Sequence, residues 1–227
     1  MSETPTTVLI TGFEPFEGHR LNVSWEIAQA LPPRAADGER WIAECLPCAF
    51  GHCLDRLEML LAQHSPSLVI ALGQAEGRAE ISIERIAVNL RDARIPDNRG
   101  AQPIDQPIVP GAPLAYASTL PYRTLLQELK AIGHPVGLSN TAGTFVCNEL
   151  FYGLQHRLSG RDIPSGFVHL PLLPEQLPDA RRAHDAAPRV AREDAPVSAD
   201  RAPPTIDFAV QRDAIAAMIR LILSGRR

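Results

Sequence analysis

Apolar positions along this chain follow two rhythms that alternate. Val8-Leu9-Ile10 and Leu68-Val69-Ile70-Ala71-Leu72 are short continuous runs closed by Thr11-Gly12 and by Gly73, the pattern of strands buried on both faces. Elsewhere the apolar residues recur at helical spacing, as in Trp25, Ile27, Ala28 and Leu31, and again in Cys53, Leu54, Leu57, Leu60 and Leu61. Residues 41–46 read as a strand between these two helices. Ser24 is a candidate N-cap for the first helix, and Pro32-Pro33 stops it. The resulting order β, α, β, α, β predicts an α/β fold. It implies an open, mostly parallel, twisted sheet with helices on both faces, an α/β/α sandwich.

Further along, Ile81, Ile83, Ile86 and Val88 predict one or two more strands. Residues 91–121 are rich in Pro, Gly, Asp and Asn and show no period; a loop this long in a compact domain points to function. Leu125, Leu126 and Leu129 mark a helix, 135–138 a short strand, Val146, Leu150, Tyr152 and Leu154 a helix, and 167–170 a strand. Residues 179–203 carry five acidic and five basic side chains and no apolar face, which predicts a mobile surface loop. A C-terminal helix over 207–224 carries Val210, Ala214, Met218, Leu221 and Ile222. With no repeat and no break in composition, residues 1–227 read as a single domain.

Charge narrows the partners. Twenty-two basic against 26 acidic residues leave a net charge of −4, and the arginines are scattered, so no nucleic-acid partner is expected. No apolar run approaches the roughly 18 residues of a membrane span, so no membrane partner is expected either. The polar first residues and the short run Val8-Leu9-Ile10 do not read as a secretory signal, which predicts a cytoplasmic protein with reduced thiols.

The four cysteines divide unevenly: Cys45, Cys48 and Cys53 crowd together, and Cys147 stands alone. The trio and His52 have the donor types of a zinc site. They lie too close together for the usual two separated pairs, so structural thiols, and no metal, are expected. Cys147 follows a small-residue turn, Asn140-Thr141-Ala142-Gly143-Thr144, in the first turn of a predicted helix. There the free N–H groups and the positive dipole end favour a thiolate. A buried structural cysteine is the alternative. Of the seven histidines, His169 ends a strand before Pro171, where an open α/β sheet places its site. Glu84, a carboxylate within the apolar Ile81–Ile86 segment, is the candidate to orient it; an ion pair with Arg85 or Arg94 is the alternative.

These segments resemble the pyroglutamyl-peptidase I family of cysteine peptidases. The likeness is carried by Gly12-Phe13-Glu14-Pro15-Phe16, Asn22-Val23-Ser24-Trp25, Gly73-Gln74-Ala75-Glu76-Gly77-Arg78 and Ser82-Ile83-Glu84-Arg85-Ile86. It continues in Arg94-Ile95-Pro96-Asp97-Asn98, in Ser139 through Asn148 and in Gly166-Phe167-Val168-His169-Leu170-Pro171. The resemblance implies a catalytic triad of Glu84, Cys147 and His169. It implies a pyrrolidone pocket of Phe13, Phe16 and Phe145 with Gln74 near it, and supporting roles for Arg94 and Asn22. It further implies a hydrolase that removes an N-terminal pyroglutamyl residue from peptides through a thioester, without cofactor or metal, as a homodimer or homotetramer. Two departures stand out. Val23 replaces a proline common in the family, and 179–203 is longer than the usual connection. Another Cys-His-Glu amidase, or a non-catalytic binder of pyroglutamyl termini, are the competing readings.

Overall fold

The computed structural model describes residues 6–33, 38–186 and 202–225, without the side chains of 181 and 183–186. The elements are β1 (Thr7–Phe13), α1 (Val23–Ala30), β2 (Arg40–Leu46), α2 (His52–His64), β3 (Leu68–Gln74), β4 (Ile81–Glu84), β5 (Ile86–Val88) and β6 (Ala115–Ala117). They continue with α3 (Tyr122–Ala131), β7 (Val136–Ser139), α4 (Val146–Leu158), β8 (Ser165–Leu170), a 3-10 turn at Pro174–Gln176, α5 (Leu177–Ala186) and α6 (Phe208–Ser224).

Six strands form one sheet in the order β2-β1-β3-β8-β4-β7. Every neighbouring pair is parallel except β8 with β4, so β4 and β7 run against the other four. Because successive strand residues point to opposite faces, each continuous apolar run feeds two cores. Val8, Ile10, Leu68, Ile70, Leu72 and Val168 pack with α1, α3 and α6. Leu9, Val69, Ala71 and Phe167 pack with α2 and α4 on the other face. This is the expected three-layer α/β architecture with a mostly parallel sheet.

Several local expectations change. Asn22, not Ser24, caps α1: its backbone is extended and its Oδ1 accepts from the Ser24 N–H at 3.1 Å. The Ser24 hydroxyl is used otherwise, donating to Asn22 Oδ1 at 2.7 Å and accepting from the Phe13 N–H at 3.0 Å. The long segment after β5 contains β6, paired antiparallel with β5. An Ala-Tyr-Ala strand is too short to show alternation. The loop expected from residue 179 begins instead as α5. Leu177–Ala186 is helical, and Asp179 is buried where its Oδ2 accepts from the Arg20 backbone N–H at 3.1 Å and side chain at 3.2 Å. Residues 187–201 of that expected loop lie outside the described residues. The C-terminal helix forms as α6.

Candidate active site

β8 places its alternate residues Phe167 and His169 on the α2–α4 face. The antiparallel pairing sets Ser82 of β4 opposite His169, which puts Glu84 diagonally across on the same face. Glu84 is fully buried and His169 nearly so. His169 Nδ1 and Glu84 Oε1 lie 2.7 Å apart. In the parallel pairing with β3, Gly73 stands level with His169. A Cβ at Gly73 would sit 2.6 Å from the Phe167 ring and 3.0 Å from the Cys147 sulfur. The glycine therefore leaves room for the thiol to approach the strand pair that carries the imidazole.

Cys147 is the second residue of α4. The helix is capped by Phe145 in extended conformation, with no side-chain hydrogen bond to the cap among the described residues. The backbone bond from the Glu149 N–H to the Phe145 carbonyl is the first of the helix. The N–H groups before it keep their capacity to receive an anion. The turn leading in needs Gly143, whose φ of +77° lies in the left-handed region. The long loop after β5 fastens this turn from outside. The Thr144 hydroxyl donates to the Asp92 carbonyl at 2.7 Å, and the Asp92 N–H donates to the Thr144 carbonyl at 3.1 Å.

Burial dominates the electrostatics. It pushes the Cys147 thiol up to about 12; the charge of Glu84 adds to this, while Arg78 and the residue's own backbone N–H oppose it. Burial also holds His169 below the usual histidine range, against the pull of Glu84. Both directions favour the neutral forms of the thiol and the imidazole at rest. Nδ1–H faces Glu84, and Nε2 keeps a free lone pair.

The other expected residues divide into two groups. Phe13 is buried and belongs with Cys147, Phe16 and Phe145 to one apolar cluster. The rings of Phe16 and Phe145 lie 6.3 Å apart. Gln74 sits at the end of β3, but its side-chain oxygen accepts from the Gln176 amide at 2.6 Å and the Val23 N–H at 3.2 Å, so that atom serves the scaffold. Asn22 is spent on its cap and on the Glu14 carbonyl at 3.1 Å. Arg94 is half exposed and pairs with Glu17 at 3.4 Å, linking the long loop to the segment after β1. The bonds of Asn22 and Arg94 tie loop segments together.

Two residues carried no expectation. Phe50 meets Phe145 edge-on, with centroids 5.2 Å apart. Its N–H donates to Asp97 Oδ2 at 2.7 Å, so the long loop fixes its place. Arg78, from the turn after β3, pairs with Glu84 Oε1 at 2.9 Å. The ion-pair alternative for Glu84 thus involves Arg78 rather than Arg85 or Arg94, and it coexists with the bond to His169. Arg85 turns to Asn140 Oδ1 at 2.8 Å and lies over the Tyr122 ring. The crowded cysteines are also accounted for: the Cys53 thiol donates to the buried Glu149 at 3.3 Å, and burial raises all three above the ordinary thiol range.

The family model for pyroglutamyl peptidase matches residues 6–201. The chain belongs to the pyroglutamyl peptidase family. It is 52% identical over 195 residues to the pyrrolidone-carboxylate peptidase of Cupriavidus necator, covering 82% of this chain and 86% of that one. With the enzyme of the same name from Escherichia fergusonii it shares 49% over 186 residues, 82% and 85% of the two chains. Among solved structures, a mutant pyrrolidone carboxyl peptidase from Pyrococcus furiosus superposes with a TM-score of 0.86 at 37% identity, covering 98% of this chain and all of that one. The pyroglutamyl peptidase I of Bacillus amyloliquefaciens superposes with a TM-score of 0.83 at 35% identity, covering 96% and 95%. As a member of this family the chain is a hydrolase, a pyroglutamyl peptidase.

Proposed function

We propose that the chain releases an N-terminal pyroglutamyl residue from peptides by thiol catalysis, with Cys147 as nucleophile, His169 as base and Glu84 as the group that orients it. The observation that carries this reading is the 2.7 Å bond between His169 and Glu84 on the face where the Cys147 sulfur lies against Gly73. As the thiol attacks the pyroglutamyl carbonyl, its proton passes to His169 Nε2, and Glu84 stabilises the imidazolium that forms. The free N–H groups of the first turn of α4 receive the oxyanion. His169 then protonates the departing amine, and water, deprotonated by the same imidazole, hydrolyses the thioester.

The lactam ring is flat and uncharged, which suits a pocket walled by Phe13, Phe16, Phe50 and Phe145. A free α-ammonium or a glutamate carboxylate would enter that slot unpaired, at a cost of several kcal/mol. We further place the enzyme in the cytoplasm, where its thiol stays reduced, as a homodimer or homotetramer. Among the described residues no helix is long and apolar enough to cross a membrane.

The test is chromophore release from a pyroglutamyl anilide, with a prolyl anilide as control. Purified protein should hydrolyse the first and not the second. Cys147→Ser should fold normally and lose at least about a thousandfold in kcat/KM. Undiminished hydrolysis by that variant would remove Cys147 from the mechanism. Light scattering of the same preparation reads the oligomeric state, and a monomer would overturn that part of the proposal.

A further inference from the structure

Glu84 Oε1 is shared. It receives His169 Nδ1 at 2.7 Å and Arg78 Nη2 at 2.9 Å, while among the described residues Oε2 has no hydrogen-bond partner. The same Nη2 of Arg78, in ion-pair contact with Glu84, donates to the Thr141 carbonyl at 3.1 Å. Thr141 lies in the turn that delivers Cys147, and its own N–H and carbonyl are held by the Ser139 hydroxyl. One guanidinium therefore touches the carboxylate behind the base and the turn in front of the nucleophile. Its side chain is about one-quarter exposed, against zero for Glu84, so much of its attraction to that acid escapes solvent screening.

The charged and titratable groups around His169 are few. β4 contributes Glu84, the turn after β3 contributes Arg78, and α4 contributes Cys147 over Gly73. β3 itself offers Gly73 and Gln74 at this register, and neither is charged. Arg85 faces Asn140 and Tyr122.

We propose that Arg78 is a positioning residue for this reaction: by dividing Glu84 Oε1 with His169 and holding the Thr141 carbonyl, it keeps the imidazole free to accept the thiol proton and the cysteine turn in place. Without the guanidinium, Glu84 would face His169 as an uncompensated buried negative charge. The Glu84–His169 pair would then take up its extra proton at higher pH, and the base would be occupied where the enzyme works. The directions agree, since Arg78 acts to lower both His169 and Cys147. This inference rests on the triad reading above.

The experiment compares Arg78→Met, which keeps the stem and removes the charge, with Arg78→Lys, which keeps the charge. Two pH profiles are recorded for each: kcat/KM on the pyroglutamyl anilide, and the rate of Cys147 alkylation by iodoacetamide, which needs no substrate. Arg78→Met should move the acid limb of kcat/KM up by about one pH unit. It should also alkylate more slowly at pH 7. Arg78→Lys should return the limb toward wild type while recovering the rate only in part, because an ammonium cannot serve both oxygens in the same geometry. A folded Arg78→Met enzyme with its acid limb at the wild-type pH, whatever its rate, overturns the proposal, as does a Lys variant whose limb stays with the Met variant. Should Arg78→Met not fold, Arg78→Gln, an uncharged donor, decides on the same limb. Activity retained by Cys147→Ser would instead sink the triad reading, and the alkylation profiles would still report whether Arg78 governs the thiol.

Discussion

Glu84 and Glu149 are the same residue type at the same depth. Both are fully buried, and each is paired with an arginine, Arg78 for the first and Arg91 for the second. They differ in how their oxygens are used. Glu149 is satisfied at both: Oε1 takes Arg91, and Oε2 takes the Gly51 N–H at 2.9 Å and the Cys53 thiol at 3.3 Å. Those donors come from α2, from its leading turn and from the long loop, so the acid is a clamp. Glu84 takes the His169 bond and the Arg78 ion pair on one oxygen, and among the described residues the other has no hydrogen-bond partner. A buried carboxylate with an unfilled valence is held less tightly than its burial suggests, and its partner imidazole can change protonation state without breaking a saturated network. A buried acid on its own therefore says little; the count of donors separates a clamp from a working group.

The strongest way to break this contrast is Glu84→Gln. An amide can still accept the Nδ1–H but cannot stabilise an imidazolium. We expect kcat/KM to fall by roughly 10³ to 10⁴ while the melting temperature stays within a few degrees. Steady-state kinetics beside a thermal melt checks both halves. A loss below tenfold would mean that His169 needs no anionic partner.

Glu149→Gln should do the reverse. Like Glu84→Gln it strips an arginine of its counter-charge, but it also weakens the Gly51 and Cys53 bonds that position α2, for an added loss of about 1–2 kcal/mol in denaturant unfolding. Activity per folded molecule should fall less than tenfold. If Glu149→Gln instead abolished turnover at unchanged stability, the two acids would not be divided as the geometry divides them.

The three residues proposed as the triad could be picked out because each sits inside a local pattern: a thiol at a helix start, a histidine at a strand end, a carboxylate in an apolar strand. The layers were legible for the same reason, since hydrophobic periodicity is local. What escaped is what the chain assembles over distance. Arg78 meets Glu84 only after the turn following β3 folds back. Phe50 joins the aromatic wall because Asp97, 47 positions away, holds its N–H. α5 is anchored through Asp179 to Arg20, and no window around 179 shows that partner. The α1 cap lies two residues before Ser24 because Asn22 and Ser24 are both good caps, and a bond from the Phe13 N–H decides which one is free to serve.

The smallest expected effect bears on what the two centres share. The thiols of Cys147 and Cys53 are both pushed up by burial and by a nearby carboxylate, the first to about 12 and the second well above the ordinary value of 9.0. The folded chain therefore keeps these protons above pH 9, where the unfolded chain loses them. Stability must fall as pH rises from 9, by about 1 kcal/mol per thiol between pH 9 and 10. On the acid side His169 is held below 6.5, so stability also falls as pH drops below 6.5 and the unfolded chain gains a proton the folded one refuses. Denaturant unfolding at pH 8, 9 and 10 reads the alkaline limb. Cys53→Ser and Cys147→Ser should each flatten it by the same amount, about 1 kcal/mol over that last unit. The informative failure is asymmetric. If Cys53→Ser flattens the limb and Cys147→Ser does not, the thiol of Cys147 is already ionised in the folded enzyme, and catalysis starts from a thiolate–imidazolium pair. If both flatten it alike, the two thiols share one resting state, and the proposed nucleophile is set apart by the imidazole level with Gly73 and the open helix end rather than by its own ionisation.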